Sequence, residues 1–150
     1  MEQKEALAEQ LQYLALVFMA RGLEALPDLV PALKARVKAP QGVIAYHPPC
    51  TLQHGMKLRG GVEQHLGALG FTLQVAANES HLCCGSAGTY SVLQPETATQ
   101  LRDRKLGHLG ALQPQAIASA NIGCITHLQS GTDTPVRHWV EVLDAALAGP

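Results

Sequence analysis

The chain has 150 residues, of which 47% are hydrophobic and 15% charged, a balance typical of one globular domain rather than a disordered segment. Its net charge of −1 and aromatic fraction of 4% give no indication of nucleic-acid binding. Four cysteines are too few for a disulfide-stapled secreted scaffold, and the charged N-terminus does not resemble a secretory signal. We therefore expect a cytoplasmic protein whose cysteines are metal ligands or redox groups.

Residues 1–40 are predicted to form a helical lead-in or interdomain connector. Strong helix formers without an internal proline predict an amphipathic helix over 3–25. Its apolar stripe is wider than one buried face requires, which indicates packing on two sides or against a part absent from this chain. A shorter helix is predicted from Pro27 to about Val37, followed by a turn at 39–42.

Residues 41–150 alternate between short apolar runs and segments with helical spacing. This alternation is typical of an α/β domain with a mainly parallel sheet of roughly four strands, flanked by helices. The predicted strands are 43–46, 71–76, 116–122 and 135–137. The predicted helices are 51–69, closed by Gly70, 91–112, with Pro95 near its start, 125–129 and 138–147. Three basic residues are predicted to form the polar face of the helix over 91–112: Arg102, Arg104 and Lys105.

All four cysteines follow predicted strands. They are Cys50, Cys83, Cys84 and Cys124. Adjacent side chains point in different directions on regular structure, so the neighbouring thiols at 83 and 84 can serve one centre only where the backbone turns sharply. Gly85 and Gly88 allow the positive φ that such a turn needs. Because ligands collect at the carboxyl ends of parallel strands, we expect the cysteines to form a centre at that edge of the sheet.

Thiolate is the form in which cysteine binds metals. Four thiolates can hold zinc or iron–sulfur iron, although one adjacent pair and two distant cysteines are unlike the paired spacing of a zinc finger. His127 lies one helical turn after Cys124 and is predicted as a further metal ligand. Three other histidines flank the cysteines and are alternative ligands or thiolate partners: His47, His54 and His81. Two other interpretations stay open, in which the cysteines are small buried hydrophobic residues or the adjacent pair is a reactive dithiol.

Three stretches of the sequence resemble the C-terminal cysteine-rich CCG domain of the glycolate oxidase iron–sulfur subunit family. They are YHPPCTLQHGMKLRG at 46–60, HLCCGSAGTY at 81–90 and ANIGCITHLQSG at 120–131. Their order, and the tail VRHWVEVLDAAL at 136–147, extend the resemblance from about Gly42 to Leu147. Wider relatives are the heterodisulfide-reductase B-like cysteine-rich proteins. The resemblance implies that the four cysteines bind the cofactor, an iron–sulfur cluster of the 4Fe–4S type in the full-length subunit.

The resemblance also implies a function and partners. A subunit of this family carries an N-terminal ferredoxin-like region, accepts electrons from an FAD-containing subunit that oxidises glycolate, and passes them to an acceptor. This chain has no C-x₂-C-x₂-C-x₃-C-P run, so we expect a C-terminal fragment or a separately made domain that is not catalytic alone. Its expected partners are the FAD-containing subunit, the other subunits of the complex and the missing ferredoxin-like region. Neither nucleic acid nor a transmembrane segment is expected, and peripheral attachment to the inner face of the cytoplasmic membrane is an alternative location.

His127 marks the point where the chain departs from its heterodisulfide-reductase relatives, which usually carry a second cysteine there in a C-x-x-C motif. This departure leaves zinc, or no metal, as alternatives to a cluster in this chain. The alternative function is a structural zinc module or a metal-free docking module of the same complex.

Overall fold

The computed structural model describes residues 29–147, except residues 56, 58 and 59. Four strands form one sheet in the order β2-β1-β3-β4, and every neighbouring pair is parallel. They are β1 (Val43–His47), β2 (Thr72–Val75), β3 (Ala116–Ser119) and β4 (Val136–His138). The predicted α/β class, with a four-stranded parallel sheet flanked by helices, is confirmed. The helix predicted over 3–25 lies outside the described residues, and the domain boundary near residue 40 stays a prediction.

Six α-helices and one π-helical turn lie within the part of the chain that the structure describes. They are α1 (Leu29–Lys34), the π-helical turn Thr51–Gly55, α2 (Gly61–Ala68), α3 (Tyr90–Leu93), α4 (Pro95–Gly110), α5 (Ile122–Gln129) and α6 (Trp139–Leu147). The predicted signals at Gly70, with φ of 98°, and at Pro95, the first residue of α4, are confirmed. Among these described helices, none is both long enough and apolar enough to cross a lipid bilayer.

Two predicted elements have the wrong bounds, for identifiable local reasons. The single helix over 51–69 is wrong, because Gly60 has a left-handed φ of 78° and α2 begins only after it. The strand over 116–122 is too long, because Asn121 caps α5: its side-chain oxygen accepts the N–H of Cys124 at 3.2 Å. Helix α5 therefore begins at Ile122, and Cys124 lies in its first turn.

The two faces of the sheet bury separate hydrophobic clusters. Ile44 and Tyr46 of β1 belong to one cluster, whereas Ala45 belongs to the other, which also contains Cys84 and Cys124. Side chains two residues apart on a strand share a face, so His47 lies on the same face as Ala45. The side chain of His47, the last residue of β1, therefore lies on the face of the sheet that carries Cys84 and Cys124.

Strands β1 and β3 lie at the centre of the sheet, and the chain leaves them in opposite directions. Strand β2 follows β1 in the chain and pairs with the edge of β1 that faces away from β3. Strand β4 follows β3 and pairs with the edge of β3 that faces away from β1. Such a reversal creates a crevice outside the carboxyl ends of the two central strands. His47 pairs in register with Ser119, so both strands end at the same level and open the crevice together.

Helix α6 is capped reciprocally by His138 and Glu141. The N–H of Val140 donates to His138 Nδ1 at 3.2 Å, and the N–H of His138 donates to Glu141 Oε2 at 2.9 Å. This is the pattern of a capping box, with histidine as the N-cap residue. Burial lowers the pKa of His138, while the Ala120 backbone and Glu141 act in the opposite direction. Protonation at Nδ1 removes the acceptor and therefore weakens the cap.

We expect this cap to make the folded state less stable in mild acid. The pKa of His138 lies below its ordinary 6.5 when folded, so the unfolded chain takes up the proton first as the pH falls. The contribution is fully present above the unfolded pKa and is lost as the pH falls through the folded pKa. Urea unfolding at about pH 7.5 and about pH 5.5 should show a loss of about 1 kcal/mol from this cap. His138→Ser keeps an N-cap acceptor that does not titrate, so the variant should lack this part of the pH dependence. An unchanged pH dependence in the variant would show that His138 is not its source.

Candidate metal centre

Three segments bring the four cysteines together at the carboxyl edge of the sheet. Cys50 follows Pro49, whose carbonyl accepts the N–H groups of Leu52 and Gln53 at 3.0 and 3.1 Å and so turns the chain at the end of β1. Cys83 and Cys84 lie in the loop between β2 and α3, which we call the cysteine loop (residues 78–88). Cys124 lies in the first turn of α5, where the helix dipole favours a thiolate. All four are free thiols, so no disulfide joins any of the cysteines of this chain.

The inner group of the site consists of His47, Cys84 and Cys124, all of them buried. Their two sulfur atoms and a ring nitrogen lie within 4.8 Å of one another, at the crevice between β1 and β3. Ser86 links the two sulfurs: Cys84 Sγ donates to Ser86 Oγ at 3.3 Å, and Ser86 Oγ donates to Cys124 Sγ at 3.5 Å. The three side chains therefore form a compact, water-excluded set of donors.

The outer pair, Cys50 and Cys83, is half-buried and adjoins the inner group. The two thiols are close enough to shift each other's pKa, with that of Cys83 lowered and that of Cys50 raised, and Cys83 interacts in the same way with Cys84. The backbone N–H of Gly85 donates to Cys83 Sγ at 3.3 Å. The four sulfurs thus form one continuous cluster that runs from the half-exposed rim to the buried floor.

Neighbouring polar groups favour the thiolate on two of the four cysteines. The pKa of Cys83 is lowered, first by the Cys50 thiol and then by Cys84 and the backbone N–H of Gly85. The pKa of Cys124 is lowered to about 5, first by Cys84 and then by His47 and Ser86. The same contacts, together with burial, raise the pKa of Cys50 and Cys84. Since metals bind thiolate sulfur, half of the donor set is already biased toward the binding form.

Gly85 brings the cysteine loop into direct contact with α4. Its φ is 93°, and a Cβ built at this position would lie 2.5 Å from the carbonyl oxygen of Ala98 and 3.0 Å from its Cα. The same carbonyl accepts a hydrogen bond from His127 Nε2 at 3.0 Å. The Ala98 carbonyl is therefore the point where the cysteine loop, α4 and α5 meet.

Lys105 of α4 places a buried positive charge beside the sulfurs. The residue is 2% exposed, and its Nζ donates to the backbone carbonyls of Glu79 at 2.5 Å and Ser80 at 3.5 Å. Burial lowers its pKa, whereas the nearby cysteines, Cys84 foremost, act in the opposite direction. The interpretation of Lys105 as part of the polar face of this helix is wrong, because the side chain is buried and contacts the cysteine loop. No spacing signal in the sequence distinguishes it from its exposed neighbour Arg104.

The histidines considered as ligands lie in different surroundings. His47 is 1% exposed and belongs to the inner group, whereas His54 and His81 are exposed. His127 is half-buried, and its Nε2 is bonded to Ala98 rather than to a cysteine. The assignments of the four cysteines and His127 as metal ligands stay predictions. His47 lies two residues after Ala45 on β1, so the two side chains share the face of the sheet that also carries Cys84 and Cys124. This alternation along the strand is the sequence signal that points to His47.

The donor set fits the chemistry of zinc or of iron–sulfur iron. Thiolate sulfur with imidazole nitrogen suits both, and neither centre needs the oxygen ligands that calcium or magnesium require. All four sulfurs are free, and those of Cys84 and Cys124 are buried and lie within 4.8 Å of each other. A parallel α/β domain with such a cluster at its switch point has the features of a cysteine-rich metal or redox domain. Residues 44–129 match the cysteine-rich domain family CCG, and the chain belongs to this family.

Several curated proteins resemble the chain over about two thirds of its length. It is 55% identical over 104 residues to the glycolate oxidase iron-sulfur subunit of Escherichia coli (strain K12), covering 69% of this chain and 25% of that protein. It is 31% identical to lactate utilization protein A of Geobacillus kaustophilus (strain HTA426), covering 69% of this chain and 46% of that protein. It is 30% identical to the uncharacterized protein YkgE of Escherichia coli (strain K12), and the match covers 69% of this chain and 45% of that protein. The chain thus spans a quarter to under half of the length of these relatives.

Proposed function

We propose that this chain is the cysteine-rich electron-transfer domain of an iron–sulfur subunit in an FAD-linked glycolate (2-hydroxy-acid) oxidoreductase complex. The observation that carries the proposal is the continuous cluster of four free cysteine sulfurs at the switch point of the sheet. Membership of the CCG family and the 55% identity to a glycolate oxidase iron-sulfur subunit support it. Glycolate as the oxidised substrate rests on the name of that relative; lactate utilization proteins match at lower identity.

In this proposal Cys50, Cys83, Cys84 and Cys124 hold an iron–sulfur cluster, which supplies one-electron transfer when bound. The surrounding residues determine how readily an electron is accepted. The N–H of Gly85 and the hydroxyl of Ser86 hydrogen-bond to sulfur, and burial of the inner group lowers the local dielectric. These features act on the reduction potential, which is the property that an electron-transfer domain must set.

The proposed partners follow from the same assignment. Electrons enter from an FAD-containing subunit and leave toward an acceptor through the other parts of the complex. A ferredoxin-like region of the iron–sulfur subunit is a further proposed partner. The domain alone relays electrons and does not carry out the oxidation of the 2-hydroxy acid.

The proposal is tested by metal analysis of protein expressed and purified without oxygen. We expect iron with acid-labile sulfide and an iron–sulfur absorption spectrum in the unaltered chain. Cys84→Ser and Cys124→Ser should each lose most of the iron, because each removes a buried thiolate ligand. His81→Ser is the matched control, since His81 is exposed on the same loop, and it should retain full iron content. Iron content below that of a matched unrelated protein, or equal iron in the cysteine variants, would refute the proposal.

A structural zinc module that docks the subunits of the complex is the second candidate. The mixed nitrogen and sulfur composition of the inner group favours it, because structural zinc commonly takes cysteine and histidine ligands. Stoichiometric zinc without sulfide in the same preparation would select this function. Zinc binding of this kind contributes directly to folding, so chelation should then lower the melting temperature.

A further inference from the structure

His47 is held in place by the backbone of the sheet. It is the last residue of β1, it is 1% exposed, and its carbonyl accepts the hydroxyl of Ser119 at 2.8 Å. Ser119 is its register partner on β3 and is fully buried. The side chain therefore leaves a rigid position at the floor of the crevice and has no route to solvent.

Neither ring nitrogen of His47 has a hydrogen-bond partner among the residues that the structure describes. Leaving a buried polar group without a partner is unfavourable, so such groups usually contact a water, an ion or a ligand. A neutral imidazole always keeps one nitrogen as an acceptor. Cys84 donates to Ser86 and Ser86 donates to Cys124, which leaves the Cys124 thiol as the neighbouring group that could still donate to the ring, and no such bond is formed. The free acceptor nitrogen thus points to an electrophilic partner that the side chains do not supply.

The surrounding atoms indicate that this partner is a metal ion. The nitrogen and the sulfurs of Cys84 and Cys124 lie within 4.8 Å of one another, so one ion between them can contact all three. Imidazole with thiolates is a donor combination that zinc and iron accept. His127, the histidine nearest to Cys124 in sequence, already donates its Nε2–H to Ala98.

We infer that His47 is a metal ligand that completes a buried set with Cys84 and Cys124. This inference rests on the proposed function in one respect only, which is that the cysteine cluster holds a metal centre. It assigns the nitrogen ligand to the end of β1 rather than to α5. Imidazole ligation raises the reduction potential of an iron–sulfur centre relative to thiolate alone, so a centre with His47 is a better electron acceptor than an all-cysteine one.

Cobalt(II) titration of the reduced, metal-free full chain tests this inference without iron or sulfide. Cobalt(II) reports its ligands through its visible absorption bands. We expect His47→Asn to weaken cobalt binding roughly 100-fold or more and to change the bands, because it removes a direct ligand. His81→Asn is the matched control, because His81 is exposed on the cysteine loop, and it should leave the bands unchanged. Unchanged bands and affinity in a folded His47→Asn protein would overturn the inference.

A second measurement needs no variant, so misfolding of His47→Asn cannot obscure the result. Protein labelled with ¹⁵N-histidine is titrated with zinc, and the imidazole nitrogens are observed by NMR. Binding should shift one ring nitrogen of His47 and leave those of His127 in place; a shift at His127 instead would contradict the assignment. Cobalt binding that depends on His47 in a chain that takes up no iron would support this inference and refute the proposed function. A chain that binds neither metal would refute both.

Discussion

Gly85→Ala is expected to destabilise the folded domain by about 2–5 kcal/mol. Two costs combine at this position. A non-glycine residue at φ 93° is strained, and the new Cβ would lie 2.5 Å from the carbonyl oxygen of Ala98, inside van der Waals contact. Backbone atoms of a helix interior cannot move aside as a flexible side chain can. Urea unfolding followed by circular dichroism measures the loss directly.

Gly88→Ala provides the matched control within the same loop. Gly88 also has a positive φ, of 49°, but a Cβ there would meet nothing within 4 Å. We expect this variant to lose only about 1 kcal/mol, from backbone strain alone. Metal content should fall in Gly85→Ala, where the cysteine loop is displaced from α4, and remain near that of the unaltered chain in Gly88→Ala. Equal destabilisation by the two substitutions would show that the contact with Ala98 is unimportant.

Lys105→Met is expected to lower the free energy of unfolding by roughly 1–3 kcal/mol, because it leaves two backbone carbonyls without their charged donor. Those carbonyls belong to Glu79 and Ser80, in the segment that leads into Cys83. The substitution also removes a buried positive charge beside the sulfurs. A positive charge stabilises the reduced, more negative state of a bound centre, so the reduction potential should become more negative. Anaerobic redox titration of the metal-loaded chain measures that shift.

Arg104→Met separates the charge effect from the general loss of a basic residue. Arg104 is adjacent on α4, and its Nε donates to the Glu79 carboxylate at 2.7 Å, but its side chain is 60% exposed. Solvent and salt screen an exposed charge, so this variant should leave the reduction potential almost unchanged. If the two variants shifted the potential equally, the buried position of Lys105 would have no special role.

Local sequence signals predicted the class of the fold and the neighbourhood of the site. Apolar runs alternating with helical spacing specify a parallel sheet, since consecutive parallel strands require crossover helices. Glycine and proline signals at Gly70 and Pro95 marked real helix boundaries, because their backbone constraints act within a few residues. The same reasoning missed the effect of Gly60, whose left-handed φ divides the predicted helix over 51–69.

The choice among histidines shows where sequence reasoning ends. Its spacing of one helical turn from Cys124 favours His127, yet in the packing of α5 on α4 the Nε2 of His127 donates to the carbonyl of Ala98. His47 is distant in sequence from both Cys84 and Cys124, and only the register between β1 and β3 brings it to them. Lys105 illustrates the same limit, because the burial of a helix face depends on which loop lies over it.

The sequence by itself determined the α/β class, the parallel sheet and the order in which each cysteine segment follows a strand, since these depend on interactions over a few residues. The tertiary structure alone decided which side chains share the inner group, which histidine faces the sulfurs and which lysine is buried. Those outcomes depend on strand order and on the packing of α5 against α4, where His127 contacts Ala98, 29 residues away in the chain. Periodicity carries no information about such contacts, because they are set by how whole elements pack.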